Sequence, residues 1–228
     1  MIAYLSQNAD KIIIDALKQE DFEVKLLAPF RALENPVSTH ADMLLLALGD
    51  TVFVHKDYEN KINLENFKNI VKVDEPVGAK YPNDILFNVA IVGNHAFCNV
   101  KHASGTVLDH LKREGYFIHH VSQGYAHCST LIVDENAIIT ADEGIANAAR
   151  EAGIDVLKIS SGHISLPPYD YGFIGGASGS TDSAVYFCGS LEHHPDGESI
   201  RKFIEAHRKS AIEFSPAPLS DVGGILFA

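Results

Sequence analysis

Four aspartates and a cysteine recur along this chain, each beside the start of an apolar run. They are Asp42 in HADMLLL, Asp84 in YPNDILF, Cys128 in AHCSTLIV, Asp182 in GSTDSAV and Asp221 in LSDVGGI, with His40 two residues before Asp42. A thiol becomes a nucleophile once deprotonated, an imidazole carries protons, and a carboxylate orients an imidazole or pairs with a cation. Carboxylates crowded together repel one another unless a positive charge offsets them. As a set, these residues point to a site for a small cation. Singly, each aspartate reads equally as a turn cap at the start of a strand, and Cys128 equally as a buried structural thiol. Asn83, Asn88 and Asn94 fall either at the same mouth or in turns. On one strand, residues two apart face the same way, so His40 and Asp42 are expected to share a face.

The positions coincide because the chain repeats. Each unit of roughly 40 to 50 residues has a polar mouth, two apolar strands, a helix and a closing strand. The first runs THADMLLLALGDTVFV, KDYENKINLENFKNI, VKVDEP, with residues 56–70 in the place of the helix. The second starts at YPNDILFNVAIVGNHAFC, followed by helix GTVLDHLKREG and strand YFIHHV. The third has AHCSTLIVDENAIIT, helix ADEGIANAAREAG and strand IDVLKIS. The fourth has GSTDSAVYFCGSL, helix PDGESIRKFIEAHRK and strand AIEFS. Gly115 and Gly153 stand where helices close; Gly49-Asp50 and Asp134-Glu135-Asn136 read as hairpin turns. A fifth unit opens at residues 219–228 and continues at residues 1–30, as MIAYLSQ, ADKIIIDALKQED and FEVKLLAP. The expectation is one domain over 1–228 with its last repeat split between the two ends, closing a ring without free sheet edges. An open α/β or α+β domain with loosely similar segments is the alternative.

Composition narrows the ligand. Apolar residues make up 46% and charged residues 21%, values of an ordinary globular chain with a large core. A formal charge of −12 disfavours nucleic acid and anionic membranes. No apolar run approaches the roughly 18 residues of a membrane helix, and the N-terminus has no signal-peptide pattern. The three cysteines, Cys98, Cys128 and Cys188, have no framework spacing and read as reduced thiols, so a cytoplasmic location is expected. His40, Asp42 and Asp84 would also suit a divalent cation, but His119-His120 and His193-His194 lack a third ligand at metal spacing. No cofactor is expected. The glycine-rich GFIGGASGST lacks the ending of a phosphate loop and reads as close backbone approach near the axis.

These motifs resemble the pentein superfamily of guanidino-group-modifying enzymes, which includes arginine deiminase and dimethylarginine dimethylaminohydrolase. His40-Ala41-Asp42 looks like its His-x-Asp motif. Cys128, 88 residues later, is similar to its nucleophile, two units on. Asp221-Val222-Gly223-Gly224 sits where that superfamily has a carboxylate followed closely by Gly-Gly, and Asp182 where it has a guanidinium-binding aspartate. The chain would be a circular permutant. The match covers the whole chain as architecture, but only four short motifs as residues; Val222 offsets the Gly-Gly pair, and Asp replaces the commoner Glu.

The resemblance implies a five-bladed α/β propeller of ββαβ repeats with pseudo-fivefold symmetry. It also implies a cysteine-dependent hydrolase, deiminase or amidinotransferase acting on a guanidino compound such as an arginine derivative. Cys128 would form a thiouronium intermediate, His40 would move protons, and Asp221 would orient it. Asp42, Asp182, Asp84 and Asn83 would hold the substrate. No arginine for a substrate carboxylate is evident beyond Arg31. Nearby carboxylates should raise the thiol pKa in the empty site, making activation depend on the bound cation. The competing expectation is a non-catalytic pentein that only binds, since the fold also serves a ribosome anti-association factor.

Overall fold

The computed structural model describes residues 1–228. Five three-stranded sheets are arranged alike. Their strands are Leu45–Leu48, Thr51–His55 and Asn69–Val73; Ala90–Val92, His95–Cys98 and Phe117–His120; Thr130–Asp134, Ala137–Thr140 and Asp155–Lys158; Ser178–Ser180, Ala184–Phe187 and Ser210–Glu213; and Leu226–Phe227, Ile2–Ser6 and Glu23–Leu27. In every sheet the first strand pairs antiparallel with the second, and the second parallel with the third. A parallel pair needs a crossover. Four units supply a helix: Lys11–Gln19, Gly105–Arg113, Glu143–Glu151 and Gly197–Ala206. The second strands are the most buried and the third strands the most exposed. The architecture is a five-bladed α/β propeller of the pentein type.

The fifth sheet joins the two ends of the chain, with Ala3 opposite Phe227 and Tyr4 opposite Leu226. Reciprocal backbone hydrogen bonds tie Ile2 to Ala228 at 2.7 and 2.9 Å. Side chains lock the seam further: Phe227 packs on Phe22 and Tyr186.

The helices follow from local chemistry. Ser104 and Asp142 cap their helices by accepting the backbone N–H of Val107 and Ile145, which satisfies donors that a helix start leaves free. Ile145, Ala146 and Ala149 form the buried stripe of Glu143–Glu151. Gly115 and Gly153 close their helices in the left-handed region, at φ +81 and +82.

The first unit departs from the pattern. Residues 56–68 hold one short helical turn, Glu59–Lys61, and ordinary turns, where the sequence suggests a helix over 56–70, and the strand Asn69–Val73 has begun by its end. Four asparagines fall within 56–70, and asparagine side chains compete with helical backbone bonds. Asn63 Oδ1 accepts the Glu65 N–H at 3.0 Å, and Asn66 accepts the Tyr4 hydroxyl. The buried apolar residues Tyr58, Leu64 and Phe67 still pin the segment to the core.

Candidate active site

Just before each first strand the chain passes close to the propeller axis, and these passages are bonded into a ring. The Gly176 N–H donates to Cys128 O at 3.0 Å, and the Gly224 N–H to Gly176 O at 2.7 Å. The Asp42 N–H donates to Gly223 O at 3.1 Å. One side chain completes the circle. Asn88 Nδ2 donates to Asp42 O at 3.3 Å, and Asn88 Oδ1 accepts the Cys128 N–H at 3.2 Å and the His127 N–H at 2.7 Å. The equivalent residues of the five units are therefore Asp42, Asn88, Cys128, Gly176 and Gly224.

That ring corrects three expected positions: in the fifth unit Gly224, and not Asp221 three residues before it, is the equivalent of Asp42 and Cys128. Asp84 lies four residues before Asn88; it is buried, and its Oδ2 accepts the Tyr125 hydroxyl at 2.8 Å. Asp182 is exposed, in the hairpin between Ser178–Ser180 and Ala184–Phe187, where the first strand has already left the axis. Asn83 is exposed and belongs to a turn, its carbonyl accepting the Gly78 N–H. Asn94 is likewise a turn residue, between the strands Ala90–Val92 and His95–Cys98. Among the asparagines named from the sequence, Asn88 alone reaches the axis.

Cys128, His40 and Asp221 do meet. They line one cavity of about 280 Å³ with Met43 beside them and Tyr125, Phe173 and Tyr171 as walls. His40 is buried, its Nδ1 3.7 Å from Asp221 Oδ1. Asp221 is fixed by two backbone donors: its Oδ1 accepts the Gly223 N–H at 3.0 Å and its Oδ2 the Phe173 N–H at 2.9 Å. The glycines here leave room for these side chains. A Cβ on Gly176 would stand 2.1 Å from Asp221 Oδ1, and one on Gly223 2.2 Å from His40 Cβ. Both approaches are sterically impossible for any other residue without movement.

Asp42 occupies a different place from His40. The chain around it is a short helical turn, Ala41–Leu44, before the strand begins at Leu45. With about 3.6 residues per turn, positions two apart in a helix diverge instead of aligning. Asp42 therefore turns toward a second cavity, of about 300 Å³, which it lines together with His127, Asp182 and Lys209. Its carboxyl lies beside the Cys128 thiol, and neither oxygen has a conventional hydrogen-bond partner. His40, Asp42 and Asp84 are thus not gathered around one point, and no group of three His, Cys, Asp or Glu side chains is arranged to hold a metal ion.

Burial dominates the electrostatics. It pushes the Cys128 thiol well above its ordinary value, and the nearby Asp42 and Asp221 push it further in the same direction. Asp42 is also raised well above the usual carboxylate range, by burial and then by Asp221. Burial raises Asp221 to about 6 and lowers His40 to about 4. Burial thus disfavours charge on the thiol, on Asp42 and on the imidazole alike, while Asp221, held by two backbone donors, ionises above about 6. The Asn88 amide offers the one compensating contact, donating to Cys128 Sγ at 3.0 Å, which favours a thiolate once one forms.

The aromatic wall is not among the residues expected at the site. Its signal was the run Tyr169-Asp170-Tyr171-Gly172-Phe173, four of whose residues line the cavity.

A thiol, an imidazole and a carboxylate thus meet at one cavity on a five-bladed α/β propeller of the pentein type. The chain belongs to the family described as "Family of unknown function (DUF6873)", matched over residues 4–226. No curated protein matches the sequence. Among solved structures, the fold is similar to DDAH from Pseudomonas aeruginosa, in a mutant complexed with citrulline. That likeness has a TM-score of 0.58 and 9% identity, and covers 93% of this chain and 92% of the other. Agmatine deiminase from C. jejuni gives 0.53 at 14% identity, covering 95% and 87%. Inosamine-phosphate amidinotransferase from Streptomyces griseus gives 0.52 at 11% identity, covering 93% and 75%. No helix is long and apolar enough to cross a membrane.

Proposed function

We propose that this protein is a cysteine-dependent enzyme acting on the guanidinium or amidinium group of a small cationic compound. The observation that carries the reading is the meeting of Cys128, His40 and Asp221 in one cavity, from three different units of the propeller. The structurally similar proteins named above, a DDAH, an agmatine deiminase and an amidinotransferase, support the same kind of reaction.

In this scheme a planar cation enters a buried site whose carboxyls resist ionisation, and its charge favours the ionised forms of Asp221 and Asp42. Charge-assisted bonds between a guanidinium and a carboxylate are among the stronger polar contacts. The same positive charge lowers the cost of forming the Cys128 thiolate, which the Asn88 amide then supports. His40, neutral at rest, accepts the thiol proton. The sulfur forms a bond to the central carbon, the bond from that carbon to one nitrogen breaks, and His40 returns the proton to the departing amine. For a hydrolase, water then gives a proton to His40 and its oxygen to the carbon; the carbon–sulfur bond breaks and the thiol is restored. Asp221 stabilises the imidazolium that forms twice in this cycle.

The alternative, a pentein that binds and does no chemistry, draws on the 3.7 Å gap between His40 and Asp221 and the raised thiol. One experiment separates the two. Chloroacetamidine, an electrophile with the planar cationic shape, should alkylate Cys128, with a guanidinium compound slowing the reaction. Cys98 and Cys188, both buried, serve as internal controls. A single adduct at Cys128, absent from Cys128→Ser, is expected from mass spectrometry. Labelling no faster than that of Cys98 would overturn the enzyme reading.

A further inference from the structure

The outer part of the Cys128 cavity constrains the rest of the substrate. No lysine or arginine lines it, and Arg31 lies outside it. Its walls are the rings of Tyr125, Phe173, Tyr171 and Tyr169, with Asp170 among them. Tyr125 and Phe173 lie with centroids 6.1 Å apart, and Tyr171 stands edge-on to Phe173 at 6.2 Å. Two phenol groups are tied to acids behind the rings. Tyr125 donates to Asp84 Oδ2 at 2.8 Å, and Tyr169 donates to Glu34 Oε2 at 3.0 Å. Asp84 Oδ1 is buried without a partner.

This mouth has a definite sign. Electron-rich ring faces attract cations and repel anions. Asp170 adds a carboxyl group to the lining, and Glu34 and Asp84 stand one hydrogen bond behind it. A substrate carboxylate would find no counter-charge here and would leave water for a surface that repels it. A second positive group would find ring faces and a carboxylate together.

We infer that the cavity takes a guanidine without a carboxylate, whose tail ends in a second cation seated between the aromatic wall and Asp170. The inference rests on the guanidinium reading above and adds the identity of the far end of the ligand. An α-amino acid such as arginine is disfavoured by the same surface.

Three compounds that differ only at the far end test it. Butylguanidine has neither charge there, agmatine adds an amine, and arginine adds an amine and a carboxylate. Each would be titrated calorimetrically into the wild-type protein and into Cys128→Ser, which prevents turnover. Agmatine is expected to bind roughly fivefold or more tighter than butylguanidine, with arginine the weakest of the three. Asp170→Asn is expected to shrink the preference for agmatine over butylguanidine by about threefold. Arginine binding as well as butylguanidine or better, or agmatine no better than butylguanidine, would overturn the inference and leave the guanidinium reading standing. Failure of all three guanidines to bind would overturn that reading, and this inference with it.

Discussion

The Asn88 side chain holds Cys128 from two directions: its amide donates to the sulfur at 3.0 Å, and its carbonyl accepts the Cys128 backbone N–H at 3.2 Å. It occupies the ring position that a backbone carbonyl fills at Cys128, Gly176 and Gly223. The second unit thus contributes a side chain where those three contribute main chain. That substitution aims a hydrogen-bond donor at the thiol.

Two Asn88 variants separate its duties. Asn88→Ala leaves the His127 and Cys128 N–H groups buried and unpaired, at about 1–3 kcal/mol each, so a drop in the urea midpoint is expected. Asn88→Asp keeps an acceptor for both but removes the donor to sulfur and adds negative charge. It should fold and show a slower alkylation of Cys128 than wild type; an equal or faster rate would exclude a role for the amide in thiolate formation.

Gly223→Ala tests the packing under His40. The added Cβ would stand 2.2 Å from His40 Cβ, at φ +81, where side chains are strained. The ring must move away from Asp221. Alkylation by chloroacetamidine should slow at least tenfold, while the circular-dichroism spectrum is retained. Gly115→Ala, at a helix end with open space around it, controls for backbone strain alone.

The pH response follows from two buried groups acting oppositely. Asp221 has a folded pKa raised from 3.8 to about 6, so its stabilising contribution is complete below 3.8 and is lost as pH rises through about 6. His40 is lowered from 6.5 to about 4, so its contribution is complete above 6.5 and is lost as pH falls through about 4. Asp221→Asn abolishes only the first. The melting temperature of that variant relative to wild type should therefore climb between about pH 4 and pH 7. A difference independent of pH would show that Asp221 ionises normally.

The same carboxyl predicts a ligand effect. A guanidinium keeps its charge across this range, whereas Asp221 becomes an anion only above about 6. Affinity for butylguanidine should increase as pH rises through that value, and binding at a pH near it should release protons from Asp221. Calorimetry in buffers of different ionisation enthalpy reads this release directly. Uptake of protons on binding would contradict the electrostatics of the site.

The seam between the chain ends can be cut. Removing residues 225–228 discards the buried Ile225, the half-buried Leu226 and Phe227, and both bonds between Ile2 and Ala228. Full burial of one such side chain is worth roughly 1.5–3 kcal/mol. A fall in melting temperature of roughly 6–12 °C is expected for a chain of this size, and an unchanged value would mean that the fifth sheet is not a structural unit.

Much of this protein could be read from the order of its residues, because local rules suffice for it. Period-two apolar runs, turn glycines and capped amphipathic helices recur in the same order, and an incomplete unit at each end implies a fivefold fold. Cys128, His40 and Asp221 were legible because each lies within three residues of the axial point of its repeat and belongs to a recognisable motif. Tertiary structure decided what spacing alone could not. Asp182 looked equivalent to Asp42 because both open a Ser/Thr/Ala-flanked apolar run, but its strand starts four residues earlier, at Ser178, and only Gly176 reaches the axis. Asp42 parted from His40 because Ala41–Leu44 coils before the strand begins, and one helical turn reverses the alternation on which the shared face depended. The aromatic mouth could not be foreseen either, since Tyr125 and Phe173 come from consecutive units and meet only when those two blades pack side by side. A repeat fixes which positions converge, but the direction of each side chain is set by the backbone dihedrals of a few residues and by the atoms packed against them.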